Sequence, residues 1–207
     1  FQKETLGFFG VDLERVHNVT PACYYIVDRL IMPSQRLNHL EVPRWAVDFL
    51  RRRLRPMGVS KRGPKRIYVD RGKAARRKLL NGGEVRAWFE RRGFTAVDLA
   101  GLTVREQIQL FRDADVIAGV HGAGFSNIVF CEPGTRLVEF FAPSYQPHYY
   151  KNIASHVGVR WEAVVGKSAS RADLRRNKSS LTLEEPFVLP LECLKELAAQ
   201  VSVRSKK

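Results

Sequence analysis

Residues 115–141 read DVIAGVHGAGFSNIVFCEPGTRLVEFF, and this stretch leaves few folds open to the chain. Residues 115–119 form a short apolar run of the kind found in a buried parallel strand. The chain then passes through Val120-His121-Gly122-Ala123-Gly124, where bulk nearly vanishes, and residues 125–130 can open a helix. Pro133-Gly134 makes a turn, and residues 136–141 form a second apolar strand closed by Ala142-Pro143. Strand, glycine loop, helix start and strand together are a compact version of the unit that holds nucleotide phosphates. Small residues admit a ligand to the backbone, and a helix N-terminus offers unpaired N–H groups with a partial positive charge. The spacing is not G-x-G-x-x-G, and a lone G-x-G often marks only a tight turn. Here His121, Ser126 and Asn127 line the same loop and Glu139 ends the next strand, which adds chemistry that a bare turn lacks.

The surrounding chain alternates strand and helix. Residues 65–70 predict a strand, 84–92 a helix stopped by Gly93, and 94–99 another strand. Thr103-x-x-Glu106 is a capping box that opens a helix to residue 111 or 112. Residues 146–157 and 159–165 add one more helix and strand. Such alternation predicts an α/β fold, a Rossmann-like parallel sheet with helices on both faces. Ligands bind at the carboxyl ends of strands in such sheets. Arg71 follows the strand 65–70 directly, with Arg76 and Arg77 just beyond, and guanidinium groups pair with phosphate oxygens in bidentate fashion. Arginines this dense are also commonly just solvated, and both readings stand for Arg76 and Arg77.

Before this unit, residues 24–32 read as strand material. Residues 41–55 read as a helix with Pro43 in its first turn, and the Pro/Gly-rich residues 55–64 as the best domain boundary. After it come a polar basic segment over 168–180, an amphipathic helix over 190–201 and a basic tail. Net charge is +14, and residues 51–78 hold thirteen Lys or Arg against the single Asp70. That concentration implies an anionic partner: a sugar-nucleotide diphosphate, an acidic membrane surface or an anionic polysaccharide. Apart from Tyr68, aromatic residues do not interleave with these cations as a base-stacking platform requires, so no specific nucleic acid is expected. Cys23, Cys131 and Cys193 stand too far apart for a zinc site or a disulfide scaffold and predict buried free thiols. Asp113-Ala114-Asp115 has the form of a D-x-D metal motif, yet it sits between a helix and a strand, where capping roles suffice. Neither metal nor cofactor is expected there. Asn18-Val19-Thr20 has the form of a glycosylation sequon and is followed by Pro21; it reads as accidental.

HGAGFSN followed by FCEPGTRLVEFF resembles the signature of glycosyltransferase family 61, whose usual form is HGAGLTN, then F, PG and a V-(I/V)-E strand. RIYVDRGKAARRKLLNGGEV resembles that family's strand–Ser–Arg–basic run–Asn–Glu segment, and GLTVREQIQLFRDADVIAG its helix leading into the glycine loop. The likeness covers residues 64–166, with a fainter echo back to Leu6. Asp70 stands where Ser is usual, Gly82 where Glu is usual, and Phe125-Ser126 where Leu-Thr is usual.

The resemblance implies two facing Rossmann-like domains, the GT-B arrangement. Residues 1–55 would then be the end of a truncated N-terminal, acceptor-side domain, residues 56–189 the donor-binding domain, and residues 190–207 a terminal helix and tail. It implies sugar transfer from a nucleotide-sugar donor to a glycan acceptor, inverting and metal-independent, in the manner of capsular or surface polysaccharide synthesis. It implies donor binding by Arg71, Arg76, Arg77, Asn81, His121, Gly122, Ala123, Gly124, Phe125, Ser126, Asn127 and Glu139. Glu139 would accept ribose hydroxyls. His121 would bind phosphate, act as catalytic base, or simply hold its turn. A non-catalytic donor-binding fragment is the alternative function, and a nucleic-acid-binding module a weaker one. The expected location is cytoplasmic, or peripheral at the inner face of an anionic membrane through residues 51–78, or the Golgi lumen in a eukaryote.

Overall fold

A computed structural model describes residues 1–17, 24, 26–31, 41–57, 62–71, 78–176 and 186–195. Strands β1 (Arg66–Val69), β2 (Thr95–Val97), β3 (Val116–Val120), β4 (Arg136–Phe141) and β5 (Arg160–Val165) form one parallel sheet in the order β2-β1-β3-β4-β5. The inner strands β3 and β4 are buried along nearly their whole length, as continuous apolar runs require. Val69 pairs in register with Gly119, and Gly119 with Glu139.

The order of the strands places the site. The chain leaves β1 through α3 (Gly82–Glu90) to the edge strand β2. It then returns through α4 (Val104–Asp113) to β3 on the other side of β1. Right-handed crossovers running in opposite directions put the intervening helices on opposite faces. Ile67, Val69, Ile117 and Leu137 therefore pack in one core with α4, α5 (Tyr149–Val157) and a 3-10 helix over Ala123–Phe130. Tyr68, Ala118, Val120, Val138 and Phe140 pack in another with α3, Phe187 and Leu194. Where the winding reverses, between β1 and β3, no crossover covers the carboxyl ends of the strands, and a crevice is left.

Several sequence expectations shift. Residues 24 and 26–31 are not strand, and Tyr24, Ile26 and Ile31 are exposed. The helix expected over 41–55 is α2 (Arg44–Leu54), with Pro43 at its N-cap because the proline's extended backbone precedes the first turn. Its Val47 and Leu54 lie in the same core as β1 and β3, so α2 packs onto this sheet. The glycine loop opens a 3-10 helix that starts at Ala123, two residues earlier than expected. The strand expected over 94–99 stops at Val97, because Asp98 caps a short 3-10 turn at Leu99–Gly101. Helix α3 starts at Gly82, and Gly93 beyond it has φ +77°, a conformation that suits glycine. The Thr103–Glu106 capping box is present at the start of α4. The basic segment 168–180 contains α6 (Arg171–Arg176), and Lys167–Ser168 pairs antiparallel with Phe187–Val188. Residues 191–195 are helical; the rest of the expected final helix, the sequon at 18–20 and Cys23 lie outside the described residues.

Candidate functional site

The crevice is built where Asp70 and Arg71 leave β1 beside the glycine loop that leaves β3. Arg71 Nη1 donates to the His121 carbonyl oxygen at 2.9 Å, joining the two strand ends. A Cβ on Gly122 would come within 3.3 Å of Arg71 Nε and Cζ, so this glycine lets the guanidinium lie against the loop backbone. A Cβ on Gly119 would meet the Val69 carbonyl oxygen at 2.7 Å, which makes glycine obligatory for the pairing of β1 with β3. A Cβ on Gly124 would meet Leu99 Cδ1 at 2.7 Å. Gly124 thus packs closely under Leu99, and it also lines one of the hollows beside Arg71.

Arg71 stands between two hollows. One, of about 310 Å³, is lined by Tyr68, Asp70, Lys78, Gly82 and Arg86. The other, of about 140 Å³, is lined by Asp98, Leu99, Gly122 and Gly124. Asp70, the carboxylate in the family's serine position, is ion-paired with Arg86 at 3.2 Å. The Arg86 guanidinium also bonds Glu90 at 2.9 Å, and its pKa is raised chiefly by that bond. Burial pushes the Tyr68 hydroxyl well above its usual range.

His121 is 3% exposed and takes part in a buried chain of polar groups. Its Nδ1 lies 2.5 Å from Glu139 Oε1, and Glu139 Oε2 accepts from Trp161 Nε1 at 2.6 Å. Phe141, Tyr145 and Tyr150 surround the imidazole, with ring centroids 5.2, 5.7 and 5.2 Å away. Glu139, which the sequence places against ribose, is fully buried, with one oxygen beside His121 and the other bonded to Trp161. Neither Trp161 nor the tyrosines carried a sequence signal. Trp161 reaches Glu139 because β4 pairs with β5, Tyr145 lies in the turn after β4, and Tyr150 comes from α5, which folds back over the sheet.

Other predicted site residues are placed differently. Phe125 is 1% exposed and belongs to the core, edge-on to Tyr150. The Asn127 amide donates to Gln107 Oε1 at 2.9 Å and to the Gly124 carbonyl at 3.1 Å, tying the loop to α4. Asn81 donates to the Leu189 carbonyl at 2.8 Å and accepts from its N–H at 3.0 Å, clasping the chain near its C-terminal end. Ala123 and Ser126 are exposed at the loop. Arg76 and Arg77 lie outside the described residues.

The sequence profile of glycosyltransferase 61 matches residues 13–138, more than half of the chain, and the match takes in Arg71 and the whole glycine loop. The chain belongs to glycosyltransferase family 61. The match reaches well before residue 64, where the clear likeness was expected to start. Among curated proteins, the family 61 chain is 33% identical over 66 residues to beta-1,2-xylosyltransferase of Arabidopsis thaliana. It is 26% identical over 65 residues to beta-1,2-xylosyltransferase RCN11 of Oryza sativa subsp. japonica. These stretches are 32% and 31% of this chain, and they span 12% of the length of each relative.

The basic segment of the family 61 chain is not one surface. Arg51 Nη1 donates to the Val129 and Cys131 carbonyls at 2.5 and 2.9 Å, and Arg55 Nε to the Phe130 carbonyl at 3.2 Å. The Arg55 guanidinium also pairs with Glu132. Both arginines therefore hold the far end of the 3-10 helix, and burial lowers the pKa of each. Lys65 reaches the Asp113 carbonyl at 3.0 Å and Asp115 at 3.3 Å. The carboxylates of the D-x-D sequence face different partners: Asp113 accepts from the Gly63 N–H at 2.7 Å and from Gln109 Nε2 at 2.5 Å. Among the described residues, no helix is long and apolar enough to cross a membrane.

Proposed function

We propose that the family 61 chain carries the donor-binding part of a glycosyltransferase that moves a sugar from a nucleotide sugar to a glycan acceptor, with inversion and without a metal ion. The observation that supports this most is Arg71 braced on the His121 carbonyl at the reversal point of the sheet. In such a transfer the acceptor hydroxyl attacks the anomeric carbon as the diphosphate departs, and negative charge grows on the departing oxygen. Preorganised donors aimed at that charge are the effective way to stabilise it. Arg71, with Lys78 at the larger hollow, supplies cationic groups, and the 3-10 helix begins beside Arg71. The Asp70–Arg86 pair balances the carboxylate that would otherwise repel the diphosphate.

The names of the two plant relatives make a nucleotide-activated xylose the first donor to try. The exposed side chains of Tyr24, Ile26, Leu30 and Ile31 suit packing against the acceptor-side lobe of a GT-B enzyme. Exposed Arg52 and Arg53 near Trp45 are the part of the basic segment suited to an anionic membrane surface. Of the expected settings, the plant relatives favour a eukaryotic one over a capsule-forming bacterial one.

Titration calorimetry with uridine and guanosine diphosphates in chelator tests the reading. Binding in chelator is expected for one of them. Binding that appears only with Mn²⁺ or Mg²⁺ would overturn the metal-free mechanism, and no binding under either condition would overturn the donor site.

A further inference from the structure

The relay behind the glycine loop has a direction that its chemistry decides. Trp161 Nε1 is a donor only, so its bond at 2.6 Å makes Glu139 Oε2 an acceptor. Glu139 is fully buried, and a buried carboxylate must be matched by donors on its remaining lone pairs. The group facing Oε1 at 2.5 Å is His121 Nδ1. The arrangement is satisfied when Nδ1 carries the imidazole proton, which leaves the lone pair on Nε2. Among the described residues, no protein group bonds to Nε2, and this atom is not among the buried polar atoms left without a partner. The aromatic rings of Phe141, Tyr145 and Tyr150 pack around the imidazole.

We infer that Glu139 and Trp161 are positioning residues that fix His121 with its proton on Nδ1, so that Nε2 presents a lone pair to a hydroxyl group of the donor or acceptor. For its purpose this rests on reading the crevice as a sugar-nucleotide site. A neutral Nε2 acceptor suits an O–H and is mismatched to a phosphate oxygen, which offers only lone pairs. The diphosphate is then left to Arg71 and its cationic neighbours, and His121 serves the sugar side. When a hydroxyl gives up its proton, Nε2 receives it, and Glu139 at Nδ1 balances the resulting charge without moving. Trp161 keeps Glu139 aimed at the ring. The same backbone position anchors Arg71 through its carbonyl, so one residue aligns both halves of the site.

The test reads the tautomer directly. The chain contains five histidines. In ¹⁵N-histidine-labelled protein, long-range ¹H–¹⁵N correlation spectra assigned by a His121→Gln variant are expected to show Nδ1 protonated and Nε2 bare. Glu139→Gln, whose amide can donate to Nδ1, is expected to move His121 toward the Nε2–H form. Trp161→Phe keeps the ring and loses the N–H, and is expected to give a mixture of both forms. Uridine or guanosine diphosphate affinity, whichever binds, is expected to stay within about twofold in Trp161→Phe, since the diphosphate does not meet the relay. An Nε2–H form in the parent chain, or a tautomer unchanged in both variants, overturns the inference. Should neither diphosphate bind the parent chain, the donor-site reading fails while the tautomer result still judges the relay. Thermal melts of each variant identify any that is unfolded; the remaining variant then decides.

Discussion

The two ends of the parallel sheet are both rich in arginine, and they use it in opposite ways. At the amino ends of the strands, Arg51 and Arg55 bond the carbonyls that finish the 3-10 helix, and Lys65 ties the start of β1 to the end of α4. Their charges meet partial or full negative charge from the protein itself. At the carboxyl ends, Arg71 uses one nitrogen on the His121 carbonyl and faces two hollows. Both stretches are dense in cations in the sequence. What separates a structural cation from a ligand-binding one is whether the fold brings a carbonyl or an open space in front of it.

The sharpest break in this comparison is at Gly119, which lets the two strand ends approach. Gly119→Ala puts a methyl against the Val69 carbonyl, which is fixed backbone in a paired strand. A loss of stability at or above the top of the usual range for overpacking, about 1–3 kcal/mol, is expected in urea denaturation. Unchanged stability would mean that β1 and β3 can separate and that the crevice is softer than its packing implies.

The next effect is on binding. Arg71→Ala is expected to weaken nucleoside diphosphate binding by about tenfold to a hundredfold, the value of a charge-assisted hydrogen bond of roughly 1.5–3 kcal/mol. It should also cost some stability in urea, about 1 kcal/mol or more, because the His121 carbonyl loses its donor. Arg51→Ala should affect stability alone: about 1–3 kcal/mol less stable, because the Val129 and Cys131 carbonyls lose their donor, with diphosphate affinity kept within about twofold. Swapped outcomes would mean that the ligand enters at the amino ends.

The smallest expected effect concerns Cys131, a buried thiol at the end of the 3-10 helix. Burial pushes its pKa up to about 12, opposed by the nearby Arg51 and Arg55 guanidiniums. An unfolded thiol ionises near 8.5, so above that pH the unfolded chain loses a proton that the folded chain keeps. Its contribution to stability is therefore complete below about pH 8.5 and declines as pH rises toward about 12, by at most about 1.4 kcal/mol per unit. Cys131→Ala should have a shallower decline over pH 9–10.5 than the parent chain. Equal slopes would show that the thiol is not held neutral by its surroundings.

The apolar strands, the capping box and the glycine loop were legible in the sequence because each is a local matter. A buried parallel strand needs a continuous apolar run, a capping box needs residues three apart, and close strand approach needs glycine wherever a Cβ has no room. The family was legible for the same reason, since its signature lies within one strand–loop–strand unit. The roles of Glu139, Asn81 and Arg51 were not local. Glu139 reads from its place on the strand as a ribose partner, and nothing local tells that the pairing of β4 with β5 puts Trp161 against it. Asn81 is expected at the donor through the resemblance, and only the return of the chain at Leu189 gives its amide two protein partners. Arg51 shares its surroundings in sequence with Arg52 and Arg53. Only the packing of α2 on the 3-10 helix turns one of the three inward to buried carbonyls and leaves the other two at the surface. A guanidinium or a carboxylate carries the same charge wherever it stands, so its task is set by whatever distant group tertiary structure places within hydrogen-bond reach.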